Sequence, residues 1–182
     1  LVGRVTQTLK EQGVYNNTLI LITSDNGPWY QGNPGNSRGR KGSVFEGGMH
    51  VPMIAHWPST LKTGLQLNGL AMGIDWFPTL LDWLNLPLPD DRIIDGKSLR
   101  AMLESNAPSP HEYLYYFAGG NLAAIRNDHY KYHPKLNVFY TVANIPFAMG
   151  AAKGPWLFDA QKDPSESYDV AMSHPKIAMT MA

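Results

Sequence analysis

Two short segments of this 182-residue chain combine residue types that can do chemistry. The first is Ser24-Asp25-Asn26-Gly27, directly after an apolar run, Leu19–Ile22. In open α/β sheets, ligands collect just beyond the carboxyl ends of strands. Asp25 offers an anionic carboxylate and Asn26 a neutral amide oxygen; both are hard donors, suited to Ca²⁺ or Mg²⁺ rather than zinc. Gly27 lets the chain turn sharply away. Asp-Asn-Gly is also ordinary turn chemistry. Two oxygens are too few for such an ion, so other ligands must come from elsewhere in the chain, from water or from substrate. The second segment is Arg38-Gly-Arg-Lys-Gly-Ser-Val-Phe-Glu-Gly-Gly48. It sets three cations, Arg38, Arg40 and Lys41, among glycines, where backbone can approach a ligand closely. Such an arrangement suits an oxyanion ester, polarised by a metal on one side and neutralised by a lysine ammonium on another. A solvated basic loop has the same composition. Glu46 suits either metal ligation or pairing with an arginine.

Composition narrows the field. Lys+Arg and Asp+Glu are 15 each, so formal net charge is zero, and no basic surplus exists to drive binding to nucleic acid or an anionic membrane. Cysteine is absent, which removes disulfides, thiolate metal sites and a thiol nucleophile together. Charged residues make up 16%, below the roughly 25% usual for soluble domains, a hint that some surface is meant to be covered. Leu19–Ile22 is the longest aliphatic run, far short of the ~20 residues of a membrane-spanning helix. Among six histidines, only His129 and His133 are helix-spaced. They fall in a strand-like stretch, so the histidines read as structural or exposed.

The elements that must position these segments can be read from periodicity. Val2, Val5 and Leu9 recur at helical spacing, and Gly13 is a natural stop. Thr18–Ser24 is apolar on both faces and β-rich, which fits an interior strand covered on both sides. Met53–Trp57 is a second strand candidate. Few neighbours of the same kind follow, and the first helix starts uncapped at residue 1; both suggest further chain upstream. Residues 27–50 hold seven glycines and form a long ordered-loop candidate of the functional kind. Asp75 to Leu86 reads as a helix capped by Asp75, with Pro78 in its first turn and Pro87 and Pro89 beyond its end. Ser98–Leu103 is a short second helix. From residue 110 the pattern turns aromatic and hairpin-like: Tyr113–Phe117, Leu122–Arg126 and Tyr130–His133, with Trp156–Asp159 as a fourth strand. The expected division is 1–104 and 111–182.

With these segments in view, the chain resembles a type I (arylsulfatase-like) sulfatase of the alkaline-phosphatase superfamily, in its C-terminal half. Five ordered stretches carry the likeness: Thr18–Gly27, Gly39–Pro52, Gly73–Asp82, Asp95-Gly-Lys-Ser-Leu99, and Trp156–Glu166 with its Asp-Pro-Ser-Glu ending. The resemblance implies an α/β fold: part of a mixed sulfatase-type sheet with flanking helices, then a small antiparallel sheet with a helix. It implies hydrolysis of a sulfate ester, with Asp25 and Asn26 on a divalent cation, usually Ca²⁺ with Mg²⁺ an alternative. Lys41 is implied as the catalytic lysine that contacts the sulfate. At His50 the family commonly has arginine, so no role is assigned there. The family's nucleophile is a formylglycine made from Cys or Ser in a C/S-x-P-S-R motif. No such motif occurs among these residues; Ser173-His-Pro175 continues with Lys176 and Ile177. Formylglycine is therefore expected in a missing N-terminal half, and the chain alone is expected to be inactive. A phosphonate monoester hydrolase or phosphodiesterase of the same superfamily, or a non-catalytic interaction module, are the competing readings. Trp29 and Tyr30 are candidates to line a pocket mouth, or an exposed loop tip. Periplasmic, secreted or lysosomal location is implied by the family alone. The uncompleted first sheet is expected to pair with that missing half or to self-associate.

Overall fold

The computed structural model describes residues 1–134, 140–142, 145–147 and 154–182. In chain order the helices and strands are α1 (Val2–Glu11), β1 (Ile20–Thr23), α2 (Glu46–Met49), β2 (Met53–His56), α3 (Trp76–Trp83) and α4 (Arg100–Ser105). They continue as β3 (Leu114–Ala118), β4 (Asn121–Arg126), β5 (Tyr130–His133), β6 (Tyr140–Val142), β7 (Ile145–Phe147), β8 (Trp156–Asp159) and α5 (Pro175–Met181). The mixed α/β class expected from the sequence is the one observed. The chain forms two compact units: Leu1–Ser24 with Pro52–Pro110, and Asp25–Val51 with His111–Ala182. The glycine-rich loop, grouped with residues 1–104 by sequence order, thus belongs to the unit that holds the C-terminal sheet.

In the first unit β1 and β2 pair antiparallel, Ile20 opposite His56 and Thr23 opposite Met53. Among the described residues β1 has this one ladder partner, and Ile20–Ile22 are half-buried rather than buried. The unit's firmest packing lies between the two later motifs. Asp75, fully buried, accepts the backbone N–H of Met72 at 2.7 Å and of Lys97 at 2.9 Å. It occupies the N-cap position of α3 without making a side-chain cap bond; its carboxylate instead joins this helix to the Asp95–Leu99 segment. Thr79, also fully buried, donates to the Asp75 carbonyl at 2.6 Å and accepts the Leu99 N–H at 2.9 Å. A methyl on Gly96 would come within 2.2 Å of the Ile74 carbonyl oxygen. The two sequence motifs are therefore one packing contact. α3 ends before Leu86 because Asn85 turns left-handed (φ 53°). Leu86 N–H then reaches the Leu81 carbonyl and Asn85 N–H the Asp82 carbonyl, the paired bonds of a Schellman cap. α1 buries none of its residues, and Val2, Val5, Ile54, Phe77 and Leu84 are all exposed.

The second unit is built on a four-stranded antiparallel sheet in the order β3-β4-β5-β8. Cross-strand partners share a face. Ile125, Tyr132 and Leu157 line one face and pack with Met181 of α5. The other face carries Leu114, Arg126, Lys131 and Phe158, with His133 beside Trp156. By simple alternation this charged face belongs in water. It is buried: Lys131 and His133 are both 0% exposed. A separate two-stranded ladder joins β6 and β7.

Replacing Thr79 by valine keeps its volume but strands the Leu99 N–H and removes the bond to the Asp75 carbonyl. Loss of this buried pair is expected to cost about 1–3 kcal/mol, measured as a lower urea midpoint, with the near-ultraviolet signal of α3's tryptophans as the probe.

Candidate functional site

The loop that carries the candidate residues is held by backbone bonds that only glycine permits. Gly47 N–H donates to the Arg38 carbonyl at 2.7 Å and closes the 38–47 segment on itself. Ser43 N–H reaches the Arg40 carbonyl at 3.0 Å. A Cβ on Gly47 would lie 2.4 Å from the Gly39 carbonyl oxygen, and one on Gly48 would lie 2.2 Å from that of Ser43. The Asp25-Asn26 turn is fastened to the same loop. Gly27 N–H donates to Gly48 at 2.9 Å, Lys41 N–H donates to Pro28 at 3.0 Å, and a Cβ on Gly27 would come within 1.9 Å of the Gly47 carbonyl oxygen. The two segments singled out in the sequence are thus stitched into one piece of structure.

The three cations of the loop divide their work. The Arg40 guanidinium donates to the carbonyls of Trp29 (3.0 Å) and Gly32. Trp29 and Tyr30 meet edge to face with ring centroids 5.1 Å apart. Arg38 donates to the Glu166 carbonyl at 3.0 Å and lies over the Phe45 ring, 4.2 Å from its centroid. Lys41 is exposed; among the described residues no side chain pairs with its ammonium. Asp25 is also exposed and Asn26 half-buried. Among the described residues, no cluster of three or more His, Cys, Asp or Glu side chains could hold a metal ion. Asp25 and Asn26 by themselves offer two hard oxygen donors, fewer than a Ca²⁺ or Mg²⁺ ion takes.

Beneath the loop lies an ion network that sequence reasoning missed. Glu46, offered as a metal ligand or an arginine partner, takes the second role. Its carboxylate accepts from Lys131 Nζ at 2.7 Å and from Arg126, and its own N–H donates to Glu166 Oε2 at 2.5 Å. Glu166, fully buried, faces Lys131 Nζ at 3.3 Å and His133 Nε2 at 3.1 Å. The Phe45 ring stacks on His133 at 4.7 Å, and the Lys131 ammonium stands 4.9 Å over the Tyr116 ring. His50, exposed, has Nδ1 3.8 Å from Glu46 Oε2. The Asp-Pro-Ser-Glu ending explains how Glu166 is aimed inward. Asp163 accepts the N–H groups of Ser167 (2.7 Å) and Tyr168 (2.8 Å) and the Ser165 hydroxyl (2.6 Å). That bracing holds Glu166 at φ 49°, a left-handed conformation uncommon outside glycine. A lysine midway along an alternating aromatic strand, Tyr130-Lys-Tyr-His133, was the one available signal for the buried network.

Electrostatics follow from burial. Desolvation alone would raise the Glu46 carboxyl. The charges of Lys131 and Arg126, with the hydrogen bonds both donate, more than reverse this and hold it at about 2, against an ordinary 4.5. Burial pushes the His133 imidazole below its ordinary value, helped by the charges of Lys131 and Arg38 and opposed by Glu166. Burial and the neighbouring Glu46 charge raise the Tyr116 phenol, which stays protonated.

Comparisons with known proteins point to one family. The family model described as Sulfatase matches residues 1–86. The chain is 30% identical to an arylsulfatase of Hemicentrotus pulcherrimus over 99% of its own length and 37% of that protein's. It is 31% identical to human steryl-sulfatase over 91% of its length and 33% of that protein's. The crystal structure of the sulfatase PsFucS1 from Pseudoalteromonas superposes with a TM-score of 0.85 at 30% identity, covering 98% of this chain and 38% of that one. A phosphonate monoester hydrolase of Agrobacterium radiobacter follows at a TM-score of 0.67 and 27% identity, over 98% and 36%. The chain belongs to the sulfatase family. It spans about a third of the length of the curated relatives it matches.

The buried carboxylate makes stability pH-dependent with a defined sign. Between the ordinary value of 4.5 and the folded value of about 2, the unfolded chain binds more protons at Glu46 than the folded one. Its contribution, about 3 kcal/mol, is therefore complete above pH 4.5 and lost as pH falls through about 2. His133, depressed when folded, adds a loss that begins on acidification below about 6.5. Urea unfolding across this pH range should show both, and Glu46→Gln should flatten the lower part alone.

Proposed function

We propose that this chain supplies the sulfate-binding lysine and two of the cation ligands of a sulfatase, an enzyme that hydrolyses sulfate esters with a divalent cation. The observation that carries this reading is the pair of backbone bonds, Gly27 to Gly48 and Lys41 to Pro28. Through them an exposed lysine and an Asp-Asn turn are joined in one hydrogen-bonded loop. The family relationship supports the reaction class.

In this reading Lys41, unengaged by other side chains among the described residues, pairs with a sulfate oxygen and neutralises charge there. Asp25 and Asn26 hold Ca²⁺, with Mg²⁺ an alternative, and the ion when bound supplies Lewis-acid polarisation of the ester. Arg40 keeps the Trp29–Gly32 turn in place beside the lysine. An Asp/Asn oxygen pair suits one hard cation better than a zinc pair, which favours a sulfatase over a zinc phosphodiesterase. The nucleophile, formylglycine in this family's chemistry, belongs to a segment other than these 182 residues, because neither cysteine nor a Ser-x-Pro-x-Arg sequence is present. The partners in this reading are that segment and a sulfate ester. The exposed apolar residues of the first unit are where such a segment, or a second copy, would be covered. Export to the periplasm, the cell exterior or the lysosome fits the family. No helix among the described residues is long and apolar enough to cross a membrane.

The 182-residue chain alone is expected to give no aryl sulfate turnover and to bind Ca²⁺ no better than about millimolar, as expected for a sparse ligand set. Calorimetry showing micromolar Ca²⁺ affinity would contradict the two-donor assignment. Combined with a polypeptide bearing a C/S-x-P-S-R segment, it should hydrolyse aryl sulfate, and both Lys41→Ala and Asp25→Ala should abolish the reaction. Faster turnover of a phosphonate monoester than of the sulfate would move the reading to the competing hydrolase.

A further inference from the structure

We infer that Glu166 is a positioning residue for Lys41, acting through the ends of the loop that carries it. Glu166 grips that loop twice. Its main-chain carbonyl accepts from Arg38 at 3.0 Å, and its carboxylate accepts the Glu46 N–H at 2.5 Å. Those two residues bracket Lys41, and the Gly47-to-Arg38 bond closes the segment between them. The carboxylate is in turn fixed by Lys131 and His133, both fully buried, so it cannot shift without exposing or unpairing buried charge. The C-terminal sheet therefore acts as the anvil on which the lysine loop is set. The inference rests on reading Lys41 as the sulfate contact only for its functional meaning; the mechanical claim stands on the bonds themselves.

The cysteine-free sequence allows a direct test. Lys41→Cys provides a single thiol for a nitroxide, whose spectrum reports motion at that position; Lys176→Cys on α5 provides the control. Glu166→Ala should speed the label at position 41 by roughly threefold or more, as expected when an anchored loop becomes locally free, and leave position 176 unchanged. Glu166→Gln keeps an oxygen for the Glu46 N–H and should hold position 41 closer to the unaltered chain than alanine does. An unchanged spectrum at position 41 in Glu166→Ala, or equal loosening at 176 in a folded variant, overturns the inference. If circular dichroism shows that Glu166→Ala does not fold, Arg38→Ala carries the same expectation and the same refutation, because it removes the guanidinium that donates to the Glu166 carbonyl. The functional reading is tested separately by titrating the native chain with inorganic sulfate and following the Lys41 amide resonance against Lys41→Ala. A mobile label in Glu166→Ala with no sulfate response in the native chain would sustain positioning and sink the sulfate contact.

Discussion

A lysine buried to the last atom governs the second unit. Lys131 lies on a sheet face that alternation would assign to water, and an unpaired ammonium there would be prohibitively costly. Two carboxylates must come to it. One arrives from the glycine-rich loop as Glu46, the other from the turn after β8 as Glu166. Arg126 joins Glu46, so two cations meet two anions while the depressed His133 stays outside the balance. Each oxygen of the two carboxylates has a partner, while Arg126 Nε and His133 Nδ1 are buried with no hydrogen-bond partner among the described residues.

Several features that look independent in sequence follow from that one requirement. The loop returns at Gly47 and Gly48 because Glu46 must reach inward while Lys41 stays outward. The turn at Asp163 is braced because Glu166 must hold a left-handed backbone. Phe45 and Arg38 close over the edge of the cluster, where the ring stacks on His133 and the guanidinium on the ring. The first unit solves a smaller version of the same problem with one buried carboxylate: Asp75 takes two backbone N–H groups where the second unit uses ion pairs.

Much of this was legible in the residues. The four strands of the C-terminal sheet were marked by aromatic alternation and by turn pairs, and they lie where expected to within a residue or so, whereas β6 and β7 were not foreseen. The Asp-Asn-Gly turn offered hard oxygen donors and the basic loop clustered cations among glycines, but both compositions are ordinary for connections, and it was the ordered resemblance that set them apart. What stayed hidden was long-range. Nothing local tells Glu46 that Arg126 lies 80 residues on, or distinguishes Lys131 from a solvated strand lysine. The helix after Asp75 was read three residues too long at its C-terminal end because Asn85 gives a weaker stop signal than glycine. Asp75 was read as a cap of the helix that follows because the spacing fits a cap; its carboxylate instead accepts the N–H of Met72, just before it, and that of Lys97, which belongs to another motif. The grouping of the 25–51 loop with the C-terminal sheet is likewise a property of packing, invisible to composition.

The contacts at Gly27, Gly47 and Gly48, each closer than any Cβ tolerates, bear on how a saturation-mutagenesis map of this protein would look. Three columns would reject every residue but glycine, including alanine, although none of the three has a side chain with which to touch a ligand. Their intolerance would trace the seam where two loops press backbone to backbone. Exposed Lys41 would give the opposite pattern: a position that accepts many residues when abundance is scored and few when turnover is scored. Comparing the two scores column by column would separate the frame of the site from its working group without any structure of a complex.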